Sequence, residues 1–297
     1  MRLLITGASG HLGQRLVKAA CKAGYQVTAW TSPRHGSLLP MNLDARFMPV
    51  ELTDPEQVAA AFCQARPLAV IHAAALSTIA ECYRDPVRAF RINGEATRQL
   101  VGLCVAGVTR LIYVSTDLVF DGSQGNYSEH DPPCPQTLYG KSKLDGERVV
   151  LHHPGHLVCR LSLLVGKGTK ERRLFFDQQV QSLRQGQPIQ LFTDEWRTPL
   201  GIQAAAEALI RLATSDYSGL LHLGGPERLS RYEMGCTLAN LLGVSTQLVQ
   251  GVTQTSMKSS ETRPSDVSLN SQAWRSLLPD SAWPGYSEVV RQEWGTS

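Results

Sequence analysis

The stretch Arg2-Leu3-Leu4-Ile5-Thr6-Gly7-Ala8-Ser9-Gly10-His11-Leu12-Gly13 decides the fold. Residues 2–6 read as a short apolar strand that runs directly into a GxxGxxG turn. Residues 14–24 then read as a helix, with Leu12, Leu16, Val17 and Ala20 on one face. Glycines in such a turn let the backbone approach a pyrophosphate, and the free N–H groups and dipole at the helix start favour its negative charge. Thr6, Gly7, Ser9, Gly10, His11, Leu12 and Gly13 are therefore expected to hold a dinucleotide.

A second strand at residues 26–30 ends where a cofactor-selecting side chain belongs, about 20 residues beyond the glycines. An acid there would bind the ribose hydroxyl of NAD and repel the extra phosphate of NADP. The chain offers Thr31, Ser32, Arg34 and His35 instead, which favours NADP over NAD. Beyond this point strands at 47–50, 69–72 and 111–115 alternate with helices at 55–64 and 86–106. That alternation predicts an α/β protein of the Rossmann type, with a doubly wound parallel sheet. Ala73, Ala74 and Ala75 follow a strand end, where small side chains let a cofactor lie against the backbone. Residues 1–165 are expected to form the nucleotide domain, to which a helix near 202–213 returns. Residues 166–297 form mainly a smaller, mixed α/β substrate lobe.

The chain of 297 residues is 42% hydrophobic, enough for a sizeable core, and its net charge of +3 is spread rather than gathered into runs. No nucleic-acid surface follows from that distribution. Seven cysteines form an odd set without a CxxC pair, which predicts reduced thiols and a cytoplasmic protein. No leader is expected before the first strand, and no apolar run reaches the roughly 18 residues of a membrane span. His152-His153-Pro154-Gly155-His156 lacks regular ligand spacing, so no metal site is expected there. HExxH, nucleophile-elbow and P-loop patterns are absent from the sequence.

Thr116 follows the strand at 111–115, at the edge where the cofactor crevice belongs, and Tyr139 and Lys143 share one face of the next helix. A free tyrosine, with a pKa of about 10, is a poor proton donor at neutral pH, and a neighbouring ammonium brings it toward the working range. Thr116 can bond the same substrate oxygen. A YxxxK pair arises by chance in about one chain in two or three of this length, so its weight comes from its place after the glycine turn and Thr116.

Three segments together resemble a known family: Thr6-Gly7-x-x-Gly10-x-x-Gly13, Ser115-Thr116-Asp117-x-Val119-Phe120-Asp121-Gly122, and Tyr139-Gly140-Lys141-Ser142-Lys143-Leu144-x-Gly146-Glu147. They look like the extended short-chain dehydrogenase/reductases, in particular the dTDP-4-dehydrorhamnose reductase group, over nearly the whole chain. The resemblance implies that Thr116, Tyr139 and Lys143 are catalytic, with Lys143 also holding the nicotinamide ribose. It matches Asn93 to the asparagine of the family's central helix, counted with the cofactor residues, and places Asp117, Val119 and Phe120 beside the substrate. The implied substrate is a nucleotide-linked 4-keto-6-deoxy sugar, reduced with NADPH or NADH, and a homodimer is left open.

Arg197, in Asp194-Glu195-Trp196-Arg197-Thr198-Pro199, and Arg263, in Arg263-Pro264-Ser265-Asp266, are candidates for a diphosphate, since the guanidinium fork donates two parallel bonds to phosphate oxygens. Leu118 stands where sugar-nucleotide dehydratases of this fold carry glutamate, which argues against dehydration. Leu163-Leu164-Val165-Gly166 replaces an aromatic-rich family segment, so sugar recognition is expected to differ. Two alternatives stay open: an NAD-dependent epimerase using the same three residues, and a binding subunit like the regulatory beta subunit of methionine adenosyltransferase, which keeps the fold without reductase work.

Overall fold

The computed structural model describes residues 1–33, 43–168, 174–257 and 263–295. Strand β1 (Arg2–Thr6) is buried from Leu3 onward. Helix α1 (His11–Lys22) starts three residues earlier than its apolar spacing suggests, because extended Gly10 is already its N-cap. Gly13, Leu16, Val17 and Ala20 form its buried face. There follow β2 (Gln26–Thr31), β3 (Ala45–Pro49), α2 (Pro55–Ala65) and the fully buried β4 (Ala69–His72). Asp54 caps α2 by accepting from the Glu56 and Gln57 amides, with Pro55 in the first turn where its missing N–H costs nothing.

The single long helix expected at 86–106 is interrupted. After α3 (Ile79–Arg84) come α4 (Pro86–Phe90), a π-helical turn (Arg91–Glu95) and α5 (Ala96–Ala106). The wider turn carries one extra residue and leaves Asn93 and Gly94 buried. Strand β5 (Arg110–Thr116) leads to α6 (Leu138–Leu151), which Thr137 caps by accepting from the Gly140 amide, and then to β6 (Leu157–Leu161).

The remaining elements are β7 (Leu164–Val165), α7 (Phe175–Arg184), β8 (Ile189–Phe192), β9 (Trp196–Arg197), β10 (Leu200–Gly201), α8 (Ile202–Leu212), β11 (Gly219–Leu223), β12 (Leu229–Ser230), α9 (Arg231–Leu241), β13 (Val249–Val252), α10 (Gln272–Leu277) and α11 (Tyr286–Trp294). The main sheet runs β11-β6-β5-β4-β1-β2-β3, with every neighbouring pair parallel. The protein is therefore an α/β fold of the doubly wound type, and its strand order reverses between β1 and β4. A crevice forms at that switch point, beyond the strand ends.

The second half of the chain feeds both lobes. Helix α8 packs on α1, β11 becomes the outer strand beside β6, and Trp274 of α10 enters the same core. Leu209 and Leu212 of α8 are fully buried there, each contributing about 1.5–3 kcal/mol. The smaller lobe packs α7, α9 and α11 around Phe176, Leu183, Leu191, Leu238, Val290 and Trp294, with the short pairs β8–β13 and β9–β12 beside them. Among the described residues, no helix is long and apolar enough to cross a membrane. All seven cysteines are free thiols.

Candidate active site

A cleft of about 510 Å³ opens at the ends of β1, β4 and β5. One wall is the glycine turn, from Thr6 and Gly7 through Ser9 and Gly10 to His11, Leu12 and Gly13. Gly7 has φ +69°, and a Cβ there would lie 2.7 Å from the Ala74 Cα and amide nitrogen. A Cβ on Gly13 would run into the Gly7 carbonyl and lie 2.8 Å from the Ala8 Cα. Only glycines allow the turn, the helix start and the Ala73-Ala74-Ala75 shelf to approach this closely. All three alanines line the cleft, as do Thr31 and Ser32 at the end of β2. Arg34 and His35 lie outside the described residues. A bare backbone at a helix start, facing a shelf without bulky side chains, suits a dinucleotide pyrophosphate.

A buried relay holds that wall. The Ala74 amide donates to Thr6 Oγ1 at 3.2 Å, and the same hydroxyl meets His72 Nδ1 at 2.7 Å. His72 Nε2 meets Thr97 Oγ1 at 3.1 Å, and Thr97 donates to the Asn93 carbonyl. With Thr97 spending its proton on Asn93, the Nε2–H form of His72 donates to it, and Thr6 donates to Nδ1. Burial, helped by Lys143, lowers the His72 pKa to about 3, so the ring stays neutral.

The opposite wall carries Thr116, Tyr139 and Lys143, all of which line the cleft. Thr116 closes β5 and caps the turn after it: its hydroxyl accepts from the Leu118 amide and donates to Asp117 Oδ1 at 3.1 Å. Lys143 is 1% exposed, and its Nζ lies 3.9 Å from the centroid of the Tyr113 ring. Burial pulls the Lys143 pKa down to about 7, against the opposing charges of Glu147 and Cys82. Tyr139 departs from expectation. Burial raises its pKa well above the ordinary phenol value, and Asp117 and Cys82 raise it further, while a hydrogen bond with Thr116 pulls the other way. The phenol is thus held protonated, and the Lys143 ammonium rests against Tyr113.

At its far end the cleft is charged. Glu195 is 1% exposed and gathers three arginines: Arg231 Nε at 2.8 Å, Arg197 Nη2 at 3.3 Å and Arg263 Nη1 at 3.7 Å. Burial would raise this carboxyl, but Arg231, Arg197 and Arg263 together hold it down to about 2. Arg197 also reaches Asp117 Oδ2 at 3.6 Å, and Ser162 donates to the same oxygen. Asp117 faces the cleft but is engaged on all sides. Glu195 and Arg231 were not singled out by sequence reasoning. Glu195 sits inside a quoted motif, whereas Arg231 opens a helix whose Ser230–Glu233 capping box marks its start but not its approach to the cleft.

Three assigned residues move out of the cleft. Asn93 is fully buried, and its side chain accepts from the Leu76 amide and donates to the Leu76 carbonyl and Ser142 Oγ. It clamps the segment after the alanine shelf to α6 and does not line the cofactor wall. Val119 and Phe120 are fully buried with Tyr127, Val267 and Leu269, and the Phe120 ring stacks on Tyr127 at 4.1 Å. The tight turn after Thr116 points these apolar side chains into the core, away from the cleft.

A parallel nucleotide-binding sheet whose crevice joins a glycine turn to a Thr-Tyr-Lys wall defines the extended short-chain dehydrogenase/reductase class. Within it, the chain matches the RmlD substrate binding domain family over residues 1–290 and belongs to that family. The dTDP-4-dehydrorhamnose reductase of Streptomyces griseus is 31% identical over 296 residues, covering 95% of this chain and 90% of that protein. The methionine adenosyltransferase 2 subunit beta of Rattus norvegicus is 28% identical over 306 residues, covering 95% and 87%. Among solved structures, the dTDP-4-dehydrorhamnose reductase of Bacillus anthracis in complex with NADP superposes with a TM-score of 0.83 at 22% identity, covering 100% of this chain and 99% of that one.

Proposed function

We propose that this protein is an NADPH-dependent reductase of a nucleotide-linked 4-keto-6-deoxy sugar. The observation that carries this reading is the joining, in one cleft, of a glycine cradle to a wall bearing Thr116, Tyr139 and Lys143. The Gly7, Gly10 and Gly13 backbone and the alanine shelf would hold the dinucleotide, with Thr31 and Ser32 at its adenosine end. When bound, the reduced nicotinamide supplies hydride to the carbonyl carbon. Tyr139 donates the proton to the carbonyl oxygen; burial keeps the phenol protonated before hydride transfer but also makes it a weaker acid, so release of the proton depends on a cation beside the phenolate. The phenolate left behind needs a cation, and Lys143, one helical turn away, provides it. Thr116 exchanges its Asp117 bond for the substrate oxygen and orients it. Arg197, Arg231 and Arg263 bring more positive charge than Glu195 cancels, which suits the diphosphate of a nucleotide sugar.

The likeness to methionine adenosyltransferase 2 subunit beta supports a second reading, a non-catalytic partner subunit. Purified protein with a dTDP-4-keto-6-deoxyhexose separates the two. The reductase reading expects stoichiometric oxidation of NADPH, faster than of NADH. Tight NADPH binding without oxidation, together with co-purification of a stoichiometric partner, would favour the subunit.

A further inference from the structure

Behind the reactive wall lies a buried ionic cluster with no part in the chemistry above. Glu147 follows Lys143 by four residues on α6, on the same face, and is 0% exposed. Arg160 of β6, 2% exposed, grips it as a fork: Nε lies 3.0 and 3.2 Å from the two carboxylate oxygens, and Nη2 lies 2.7 Å from Oε2. Ser115, the residue before Thr116, donates to Glu147 Oε1. On its far side Arg160 Nη1 meets the Nε2 of neutral His222 at 3.4 Å, and His222 Nδ1 donates to the Tyr127 carbonyl. A buried ion pair costs several kcal/mol of desolvation per ion, and apolar residues of the same volume often serve stability as well. The cluster touches the helix that carries Tyr139 and Lys143 and the strand that carries Thr116. Stability alone does not explain its location.

Resting on the reductase reading above, we propose that Glu147 is a positioning residue whose carboxylate, oriented by Arg160 and Ser115, keeps Lys143 an ammonium in its buried site and so sets the alkaline limit of turnover. The other groups facing Lys143 supply less of this opposition, Cys82 contributing less than Glu147. Tyr113 presents its ring face, Cys82 is a thiol whose burial pushes its pKa up to about 11, and His72 is neutral. Glu147 opposes the effect of burial on Lys143, and Arg160 holds the same carboxylate at 2.7 Å.

The test follows the side-chain NMR signal of Lys143 through a pH titration of the isotope-labelled full chain, assigned by its disappearance in Lys143→Met. Glu147→Gln keeps the shape and removes the charge. Its Lys143 midpoint falls by at least about one pH unit, and the alkaline limb of kcat/KM moves down with it. Glu147→Asp restores most of the shift, and Arg160→Met moves the midpoint upward. Where Glu147→Gln alone does not fold, the double variant Glu147→Gln/Arg160→Met, in which neither member of the pair is left buried without its partner, is compared with the wild-type protein, and its Lys143 midpoint again falls. Equal midpoints in a folded pair overturn the proposal, as does a shifted midpoint with an unmoved rate profile. A shifted midpoint in a protein that never oxidises NADPH with a keto sugar overturns the reductase reading and leaves the charge assignment to Glu147 standing.

Discussion

Gly13 shows how much a single position carries. Its Cβ position is occupied by the Gly7 carbonyl, so the turn and the start of α1 are in direct backbone contact. Gly13→Ala must open the turn, and NADPH affinity is expected to fall at least tenfold, about 1.4 kcal/mol. A fluorescence titration of NADPH checks this; wild-type affinity would contradict the assignment of this wall to the cofactor. At this scale the residues that meet in the cleft were legible because their spacing is local: the glycines, the residue ending β5 and the pair on α6 are fixed by strand and helix geometry. Asn93, Val119 and Phe120 lie outside the cleft for a physical reason. A motif gives the order of residues, but the π turn and the tight turn after Thr116 decide which side chains face inward.

Between elements, charge is distributed in a way no local pattern announces. Glu195 precedes β9, Arg231 opens α9, and Arg263 comes from a segment far along the chain, yet all meet at one carboxylate. Removing that carboxylate's charge leaves Arg197, 4% exposed, with Asp117 at 3.6 Å as its remaining counter-charge. Glu195→Gln is expected to destabilise the protein by about 3–5 kcal/mol, read as a lowered denaturant midpoint. A change below about 1 kcal/mol would mean that the arginines are balanced by Asp117 alone. The helix boundaries were legible where caps are local, as with Asp54 and Pro55 at α2. At 86–106 both ends were legible, Pro86 behind the Asp85 cap and Ala106, and the π turn between α4 and α5 was not.

For the whole molecule, the doubly wound sheet was legible in the alternation of strands and helices through residue 165. The return of β11 and α10 to that sheet was not, because their short apolar runs look the same in either lobe. Burial on both sides of the sheet has a consequence for pH. Burial lowers the His72 and His222 pKa values to about 3, against an ordinary value of about 6.5. The unfolded chain therefore binds protons that the native state does not, and stability falls as pH drops below about 6.5. Between about pH 6 and 5 the two rings together give a slope approaching 2.7 kcal/mol per pH unit. Urea unfolding across that window measures it, and a flat profile would show that both rings are protonated in the native protein.

The central claim is that Tyr139 delivers the proton to a sugar carbonyl, and Tyr139→Phe tests it most directly, since it deletes one hydroxyl and preserves the ring. With NADPH and a dTDP-4-keto-6-deoxyhexose, turnover of the variant is expected to fall by at least about two orders of magnitude while its NADPH affinity stays within a few-fold of wild type. Turnover equal to that of the wild-type protein would contradict the account.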